Sequence, residues 1–553
     1  MSAAPKKKRK NRSDAQSPDA SIKKTSNDRD AREDCPSSIT LQPGQVAYFE
    51  GEAQISVKRG AVWLNGTFLE ADAGNVAICA DAVLGGALPI EAVASGTQMP
   101  HPHQAVQVAF ETMMGSDGGS AAGSADATTV SGASWRVLAE GAHAAHHVRQ
   151  DWREAAAGIS GAVQEACTSG RSGGRTVAVC GAKGTGKSSF GRLLANSLLT
   201  GTQRVAWLDA DCGQPEFTIP GLVSLTYLDR PMYGLPHMHQ QAPAQARFLG
   251  HLSPERDPVA YREAVQELLT WHAARHASIP LVINTCGWIK GLGFDLLADL
   301  LHSAAPSHVV LLQTASARRN LPAELFWAHA GGLTQVPAPA CALVQLQAVG
   351  QLPAAPAAPS QQVPGAPPAP KKLTASETRS LSWLVWAREI VGLPTSGVRW
   401  EADTLAATAA GLPARVPFTI QLSDVAVEVL HASVAPGQIG YVLNGALVGL
   451  CSRREQADTV HNGRPATVCL GVGIVRAVDM AKGRAYVLAP FNLDTMQQVD
   501  VLQVGRLELP PELLQSGPVV SPYLSTWSIA TSGTGAGVIK SRNNLLRSAQ
   551  LVG

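Results

Sequence analysis

The feature that most constrains how this chain can fold is a glycine-rich segment between an apolar strand pattern and a helical pattern. Residues 181–188 read GAKGTGKS and fit G-x-x-x-x-G-K-[ST]. The β-branched run TVAVC enters this segment, and apolar residues recur at helical spacing over residues 190–198. Glycines let consecutive backbone N–H groups wrap phosphates, and the N-terminus of the following helix adds its positive dipole end. The sequence therefore predicts a phosphate-binding loop in an α/β domain.

The side chains of this loop predict a nucleotide site. Lys187 can neutralise charge on the β- and γ-phosphates, and the Ser188 hydroxyl can ligand Mg²⁺. The expected nucleotide-binding residues are Gly181, Ala182, Lys183, Gly184, Thr185, Gly186, Lys187, Ser188 and Ser189. ATPases, GTPases, kinases and motors share such a loop, so the loop alone does not decide the reaction.

Two carboxylates follow the next apolar strand pattern along the chain. The run RVAWLDADCGQPEFTIPG places Asp209 and Asp211 at the carboxyl edge of the predicted sheet, where α/β folds hold their ligands. One carboxylate can hold Mg²⁺ through water, and the other can accept a proton from an attacking hydroxyl. The alternative is that both residues only cap a loop.

Changes in composition divide the chain into regions. Apolar and polar residues alternate around glycine turns over residues 39–93, which predicts an antiparallel β domain. Farther on, apolar strands alternate with helices, which predicts a parallel sheet covered on both faces. The predicted regions are a disordered basic tail (1–34), an N-terminal β domain (35–112), a flexible linker (113–134), a P-loop domain (135–397) with a disordered Pro/Ala-rich insertion at about 336–370, and a C-terminal β-rich domain (398–553). The fold class is therefore α/β, a P-loop NTPase parallel-sheet domain flanked by N-terminal and C-terminal β-rich domains.

Charge and cysteine usage indicate the cellular setting. Residues 5–10 read PKKKRK, which is typical of a nuclear import signal, although a nucleic-acid-binding or solvated tail has the same composition. Formal net charge is only +2, so any nucleic-acid affinity must come from local patches. Nine cysteines are scattered without a C-x-x-C pair, and no apolar run approaches the roughly 20 residues that span a bilayer. We expect a soluble intracellular protein with reduced thiols.

Four blocks of sequence resemble the polynucleotide 5′-hydroxyl kinases that act in pre-ribosomal RNA processing. They are the phosphate loop with the following NSLL, DADCGQPEFTIPG at 209–221, NTCGWIKGLGFDLL at 284–297, and C-terminal strings that include YVLNGALVGLC, CLGVGIVRAVDMAKGRAYVLAPF, PYLS and KSRNNLLR. GQPEF and the C-terminal strings favour the ribosomal branch over the sister branch of messenger-RNA 3′ processing and transfer-RNA splicing. The resemblance implies an ATP- and Mg²⁺-dependent kinase for RNA 5′-hydroxyl ends.

The resemblance also implies roles for individual residues. Lys187 would contact the transferring phosphate, Asp211 would be the general base, and Asp209 would support the metal or its water shell. On the acceptor side, the segment with Thr285, Gly287 and Trp288 looks like the family's clasp, which helps to hold the substrate end. The flat ring of Trp288 could stack on the terminal base, unless it is simply a core tryptophan.

Two further assignments depend on weaker similarity. Gln214 could hydrogen-bond the sugar or phosphate of the substrate. In LTASETRSLSWLVWAREI, Arg379 takes the place of the lid arginine, and Trp383 and Trp386 replace the aromatic pair of the family. A second lid arginine is not evident, since Arg388 lies nine residues on, and Arg379 could also be an ordinary surface arginine.

Other functions remain open at this point. A non-catalytic scaffold could bind ATP to stabilise its fold while it holds a nuclease, and a generic P-loop ATPase could remodel complexes without phosphorylating RNA. In the resembled family the kinase works with an endoribonuclease that cuts a ribosomal spacer, so the expected partners are 5′-hydroxyl RNA and an endoribonuclease. The expected location is the nucleus and nucleolus, and the expected role of the C-terminal domain is docking.

Overall fold

A computed structural model describes most of the region between residues 38 and 514. The described residues are 38–43, 45–71, 74–80, 88–93, 105–111, 136–138, 150–170, 174–329, 341–348, 374–395, 398, 400–453, 460–461, 464–465, 467–514, 524–525 and 540–541. The basic tail, the predicted linker and most of the Pro/Ala-rich tract lie outside them. Every helix within the described ranges falls short of the length and apolarity that a membrane crossing needs.

The N-terminal region folds as an antiparallel β domain around one long strand. Its strands are β1 (Ser38–Leu41), β2 (Val46–Arg59), β3 (Ala61–Leu64), β4 (Thr67–Glu70), β5 (Val76–Ala80), β6 (Leu88–Ala92), β7 (Val106–Glu111) and β8 (Arg136–Leu138). β2 pairs with β5, β6, β7 and β8. Alternate side chains of these strands, among them Phe49, Ile55 and Leu64, fill the core of the domain. β8 belongs to this sheet, although the composition boundaries assign its residues to the P-loop domain.

The central region is a P-loop α/β domain. Its elements are α1 (Gln150–Thr168), β9 (Thr176–Gly181), α2 (Lys187–Leu199), β10 (Val205–Asp209), β11 (Leu222–Leu228), β12 (Gln245–Phe248), α3 (Pro258–His276), β13 (Leu281–Asn284), α4 (Leu292–Ala304), β14 (His308–Gln313), β15 (Ala342–Gln347) and α5 (Ala375–Val391). The strand order is β12-β11-β10-β13-β9-β14-β15. The strands from β10 to β15 in this order run parallel, which confirms the predicted fold class.

Both faces of this sheet are buried. Val177 and Val179 of β9 face a core built with α1 and α2, and the alternating Ala178 and Cys180 face a core built with α3 and α4. Because both faces are covered, polar groups are accessible only beyond the ends of the strands. The phosphate loop, the two aspartates and the clasp all follow carboxyl ends of β9, β10 and β13.

Two features of this sheet differ from the sequence prediction. β11 and β12 are antiparallel additions to the edge beside β10, whereas we predicted a parallel sheet throughout. β15 lies inside the tract that we predicted as a disordered insertion at about 336–370. Its residues, ALVQLQ, pair in parallel with β14 at the opposite edge, because this short stretch has strand-forming residues despite its Ala- and Pro-rich flanks.

The C-terminal region is β-rich, as predicted. Its elements are α6 (Ala402–Ala414), β16 (Phe418–Gln421), β17 (Ala426–Val429), α7 (Ile439–Leu443), β18 (Leu447–Ser452), β19 (Val460–His461), β20 (Arg464–Pro465), β21 (Val468–Asp479), β22 (Arg484–Leu488), α8 (Leu493–Met496), β23 (Val501–Val504), α9 (Pro511–Leu514), β24 (Leu524–Ser525) and β25 (Lys540–Ser541). The main sheet has the order β16-β22-β21-β18-β23-β17.

Each flanking domain makes close contacts with the P-loop domain. In the N-terminal domain, the turn at Asn65 and Gly66 lies on α2, where Asn196 donates to the carbonyl of Asn65 (Nδ2···O 2.8 Å). On the other side, the backbone N–H of Arg506 donates to the carbonyl of Gly250 (2.6 Å). A Cβ at Gly250 would lie 2.6 Å from the Cα of Gly505, so only glycine permits this approach. Both domains therefore help to position the central sheet.

Candidate active site

The phosphate loop depends on glycine at its entry and at its exit. Gly181 ends β9 with φ +153°, and Gly186 precedes α2 with φ +93°, values that side-chain-bearing residues rarely adopt. A Cβ would lie 2.8 Å from the carbonyl oxygen of Leu312 at Gly181, and 2.8 Å from the Trp152 ring at Gly186. Trp152 of α1 is buried and donates its indole N–H to the carbonyl of Gln347 (2.9 Å). Trp152 of α1 therefore packs against the phosphate loop at Gly186 and supports it.

The phosphate loop encloses the side chain of Lys187. Its side chain is 7% exposed, and Nζ donates to the carbonyl of Ala182 (3.1 Å), which also accepts from Thr185 Oγ1 (2.9 Å). Burial lowers the pKa of the Lys187 ammonium, and the nearby Asp211 carboxylate opposes that shift. Among the described residues, the hydrogen bond of Nζ goes to a backbone carbonyl and not to a carboxylate. This ammonium is therefore suited to bind an anion in the loop.

Asp209 is the buried carboxylate of the site. It is 0% exposed, and its oxygens accept from the indole N–H of Trp207 (2.8 Å), the backbone N–H of Glu216 (2.8 Å) and Asn284 Nδ2 (3.1 Å). Burial raises the pKa of Asp209 to about 7, although the hydrogen bond from Trp207 lowers it. A buried carboxylate in this state gains from a nearby cation.

Asn284 is a residue of this network to which the sequence analysis gave no role. The register of β10 and β13 sets it directly beside Asp209, and its Oδ1 lies 3.5 Å from the Ser188 hydroxyl. Hydroxyl, amide and carboxylate oxygens are the ligand atoms that Mg²⁺ prefers. The Asp209 carboxylate also has no positively charged group beside it among the described residues. The residues present therefore fit a magnesium ion. The sequence could have indicated this role, because Asn284 is the last residue of the strand pattern that forms β13, the neighbour of β10.

Asp211 differs from Asp209 in its exposure. It is half-buried, and its Oδ1 accepts from the backbone N–H groups of Gly213 and Gln214 (both 3.1 Å), which fixes its orientation. Its second oxygen has no hydrogen bond from the described residues and is available to accept a proton. A Cβ at Gly213 would lie 2.6 Å from the carbonyl oxygen of Leu252, so this turn requires glycine. The Gln214 side chain is half-buried next to this turn, and its predicted contact with substrate stays a prediction.

The clasp segment is packed against the phosphate loop. Thr285 is 0% exposed and its hydroxyl donates to the carbonyl of Val179 in β9 (2.7 Å). This hydrogen bond fixes the clasp to the sheet, and the predicted contact of Thr285 with substrate stays a prediction. A Cβ at Gly287 would lie 2.8 Å from Lys183 Cα and 3.0 Å from Lys187 Nζ. Gly287 is therefore at the place where clasp and loop touch.

Trp288 is half-buried at the outer edge of the clasp. One part of its ring packs against the start of α4, where a Cβ at Gly293 would lie 2.3 Å from it, and it lines a small pocket with Pro254, Tyr261 and Cys286. The remaining part of its surface is accessible to solvent. The Trp288 ring is thus anchored against α4 and partly exposed, and its stacking on a base stays a prediction.

The lid helix α5 brings one arginine to the site. Burial lowers the pKa of the half-buried Arg379 guanidinium, and the Asp211 carboxylate raises it, so the two charges lie within electrostatic reach of each other. Arg388 serves another purpose, because it donates to the carbonyl of Pro394 (2.7 Å) and lies 3.4 Å from the Thr408 hydroxyl of α6. It therefore links α5 to α6 and is not a second lid arginine in this structure.

The lid tryptophans form part of an apolar interface. Trp383 and Trp386 are 3% and 4% exposed, and their rings meet edge to face at 5.3 Å. They pack with Phe248 of the P-loop domain and with residues of the C-terminal sheet such as Leu447. They anchor the lid helix between the two domains.

Arg319 is a second residue without a role in the sequence analysis. It follows β14, and its Nη2 donates to the carbonyl of Lys183 in the phosphate loop (2.9 Å). The sequence could have indicated this role, because the basic run SARRN follows the strand pattern of β14, which lies beside β9.

Two family models match the chain. The model described as mRNA cleavage and polyadenylation factor CLP1 P-loop matches residues 181–340, and the model described as NOL9-like, C-terminal domain matches residues 414–510. The first match contains the phosphate loop, both aspartates and the clasp. The second contains the main C-terminal sheet.

Curated relatives match most of the folded part of the chain. Polynucleotide 5′-hydroxyl-kinase NOL9 of Arabidopsis thaliana is 32% identical over 365 residues, which cover 64% of this chain and 91% of that protein. The NOL9 proteins of Danio rerio and Homo sapiens are 30% and 26% identical and are matched over 50% and 52% of their lengths. The chain thus spans about half the length of these vertebrate relatives.

The fold also resembles solved structures. The structure titled "Structure of wild-type Clp1p-Pcf11p (454 -563) complex" aligns with a TM-score of 0.50 and 13% identity, over 85% of this chain and 97% of that chain. A second Clp1p–Pcf11p structure aligns with a TM-score of 0.51 and 12% identity. At this identity the likeness concerns the fold, a P-loop domain between two flanking domains.

Proposed function

This chain belongs to the NOL9 family of polynucleotide 5′-hydroxyl kinases, and we propose that it transfers the γ-phosphate of ATP to the 5′-hydroxyl end of RNA. The observation that carries this proposal is that the phosphate loop with its buried Lys187 lies next to the strand ends of Asp209 and Asn284, where Asn284 Oδ1 is 3.5 Å from the Ser188 hydroxyl. Asp211 follows two residues after Asp209, and its carboxylate acts electrostatically on both Lys187 and Arg379. A carboxylate within electrostatic reach of two cations suits phosphoryl transfer to a hydroxyl.

Each of these residues has a step in the proposed reaction. Lys187 binds the phosphates of ATP at the bottom of the loop, and the open oxygen of Asp211 accepts the proton of the attacking 5′-hydroxyl. Arg379 neutralises negative charge that develops on the transferred group. Ser188, Asp209 and Asn284 would hold Mg²⁺, which when bound would supply further charge neutralisation.

The acceptor side explains why a polynucleotide end suits this site. Trp288 in the clasp is partly exposed, and stacking of a terminal base on an aromatic ring tolerates any base. Gln214 lies next to the proposed base and can contact the sugar or phosphate of the terminal nucleotide.

A labelling experiment separates this function from its rivals. The purified chain is incubated with γ-labelled ATP and a short 5′-hydroxyl RNA, and with the same RNA carrying a 5′-phosphate. We expect label only on the 5′-hydroxyl RNA. ATP binding without transfer would support the scaffold alternative, and phosphate release into water without labelled RNA would support a remodelling ATPase.

We further propose that the chain acts in pre-ribosomal RNA processing in the nucleolus, as the resembled family does. The basic cluster at residues 5–10 supports import, because it is compact and surrounded by residues with little apolar content. Deletion of residues 1–34 should disperse the protein from the nucleus and leave its activity in solution unchanged. Nuclear accumulation of the shortened chain would contradict the import role.

An endoribonuclease that leaves 5′-hydroxyl ends is the proposed partner. Tethering the cut end near the kinase raises its effective concentration, so one shared complex favours phosphorylation. Leu513 and Leu514 of α9 are buried, so a truncation that tests docking should leave α9 in place. Truncation after residue 515 should abolish co-purification with the nuclease and barely change phosphorylation of short RNA. Loss of RNA binding with the partner retained would make the terminus an RNA contact.

A further inference from the structure

Glu216 is a buried charge that the proposed reaction does not use. It belongs to the GQPEF run, is 1% exposed, and its Oε1 accepts from Arg192 Nη1 (2.9 Å) and His239 Nε2 (2.8 Å). Burial alone would raise the pKa of this carboxyl, but Arg192 and His239 together hold it below its ordinary value. Burying an ion costs several kcal/mol even when it is paired, so its presence suggests a gain other than stability.

Glu216 is joined directly to the nucleotide side of the site. Its backbone N–H donates to Asp209 Oδ2 (2.8 Å). Its partner Arg192 is on α2, one turn beyond Ser188, and Arg192 Nη2 lies 3.5 Å from the Ser189 hydroxyl. A shift of Glu216 would therefore move both the buried carboxylate and the first turn of the P-loop helix.

The same residue is joined to the lid. His239 is followed by Gln240, whose Nε2 donates to the carbonyl of Ser382 in α5 (3.2 Å). The His239 ring also lies 5.3 Å from the ring of Phe217, the residue after Glu216. Arg379 precedes Ser382 by about one helical turn, so the segment that Glu216 holds is the one on which the Arg379 part of α5 rests.

We propose that Glu216 is a positioning residue that holds the P-loop helix, Asp209 and the lid helix in one arrangement, so that Arg379 faces the phosphate bound by Lys187. This inference rests on the proposed kinase function. It gives the Glu of GQPEF a specific task, because a carboxylate at this position can pair at once with a cation on α2 and a donor on the segment beneath α5. No hydrogen bond or ion pair joins Glu216 to Arg379 among the described residues, and the hydrogen bonds of His239 and Gln240 provide an indirect route between Glu216 and α5.

Coupling distinguishes this role from a purely structural one. If Glu216 only stabilised the fold, its loss and the loss of Arg379 would act independently and their effects on rate would multiply. If Glu216 positions the lid, removing Arg379 costs less once Glu216 is gone, because the arginine is already misplaced.

The experiment is a double-mutant cycle of Glu216→Gln and Arg379→Ala with γ-phosphate transfer to 5′-hydroxyl RNA as readout. We expect Glu216→Gln to lower kcat about 10- to 100-fold and to change ATP affinity less than about threefold. We expect Arg379→Ala to cost at least about fivefold less in the Glu216→Gln background than in the parent. Multiplicative effects, or an unchanged kcat in folded Glu216→Gln, would overturn the proposal.

A second pair of variants covers the case in which Glu216→Gln does not fold. His239→Gln keeps a donor for Glu216, whereas His239→Phe keeps the ring beside Phe217 and loses the donor. We expect a near-parent rate from His239→Gln and a reduced rate from His239→Phe at equal thermal stability. Equal rates for both would overturn the proposal.

Hydrogen exchange separates this inference from the proposed function. ATP analogue should protect the amides of α5 in the parent and protect them less in His239→Phe. If the parent shows this protection but labels no RNA, the kinase function fails and the positioning role stands. If the parent labels RNA and both His239 variants protect α5 equally, only the positioning role fails.

Discussion

The nucleotide side and the acceptor side of the candidate site are built differently. On the nucleotide side, Lys187, Asp209 and Asn284 are nearly inaccessible, and each makes hydrogen bonds to fixed groups of the sheet and loop. On the acceptor side, Asp211 and Trp288 are half-buried, and one oxygen of Asp211 has no hydrogen bond from the described residues. Protein contacts therefore hold the nucleotide side more completely than the acceptor side.

This difference follows from how each side is made. The nucleotide side lies where the loops leave β9, β10 and β13, whose register the buried sheet enforces. The acceptor side is assembled from a turn, the clasp and the exposed edge of α5, which come from separate parts of the chain, and its side chains stay partly exposed. Changes on the first side should therefore affect nucleotide use outright, and changes on the second side should affect rate or RNA affinity while ATP binding persists.

The largest effect is expected at the loop lysine. Lys187→Ala removes the cation that meets the transferring phosphate, so we expect transfer to fall by at least about 10²–10³-fold. The measurement is label transfer to RNA by purified, folded protein. Lys58→Ala, at an exposed lysine of the N-terminal domain, is the matched control and should keep the parent rate. Retained transfer in folded Lys187→Ala would disprove the nucleotide side as described.

The general base gives the next largest effect. Asp211→Asn cannot accept the hydroxyl proton, and we expect kcat to fall about 10²–10⁴-fold with ATP affinity changed only a few fold. Titration with a fluorescent ATP analogue and single-turnover transfer give the two quantities. If ATP affinity collapsed while turnover at saturating ATP stayed normal, Asp211 would belong to the nucleotide side and not to the acceptor side. Asp211 would then be a metal-side residue and Asp209 the better candidate for the base.

Trp288 tests whether the acceptor side binds a base. Trp288→Ala should weaken RNA binding by about 1–3 kcal/mol, that is about 5- to 150-fold, and leave ATP binding unchanged, whereas Trp288→Phe should retain most of the affinity. RNA affinity is measured with a 5′-hydroxyl oligonucleotide by anisotropy. A lower melting temperature for Trp288→Ala with unchanged RNA affinity would show that Trp288 is a core tryptophan packed against α4.

The smallest effect concerns acid stability beside the acceptor side. His251, one residue before Leu252, is 4% exposed, its ring lies 5.2 Å from that of His431, and burial lowers its pKa to about 4. Because this folded-state pKa lies below the ordinary value near 6.5, the stabilisation is complete above pH 6.5 and is lost as pH falls toward 4.

The expected loss in the free energy of unfolding over this range is at most about 3 kcal/mol, since each unit of pKa difference corresponds to about 1.4 kcal/mol. His251→Leu should reduce the loss, and His302→Leu, at an exposed histidine, should not. Denaturant unfolding at several pH values measures both. An equal loss in parent and His251→Leu would place the acid sensitivity elsewhere.

The sequence predicted the nucleotide side better than the acceptor side. The loop and the two aspartates follow strand patterns at short, fixed spacing, so their positions could be inferred locally. Asn284 had no assigned role because its importance arises only when β13 lies next to β10. Thr285 was predicted to touch substrate, and the hydrogen bond of its hydroxyl to the sheet was not indicated by the sequence. The strand β15 was missed because its flanks are rich in Pro and Ala. Its pairing partner β14 is also distant in sequence, so local pattern did not indicate the pairing.

By itself the sequence determined the elements and the chemistry of this protein: a loop whose glycines accept positive φ, a lysine and a serine at fixed positions behind it, and two aspartates at the end of a strand. These follow from backbone preferences and spacing within a few residues. Only the tertiary structure decided which distant groups come close, such as Glu216 and His239, which share a hydrogen bond, and Arg379 and Asp211, which lie within electrostatic reach of each other. Such meetings depend on strand order, register and the packing of α5 between two domains, which short-range pattern does not encode.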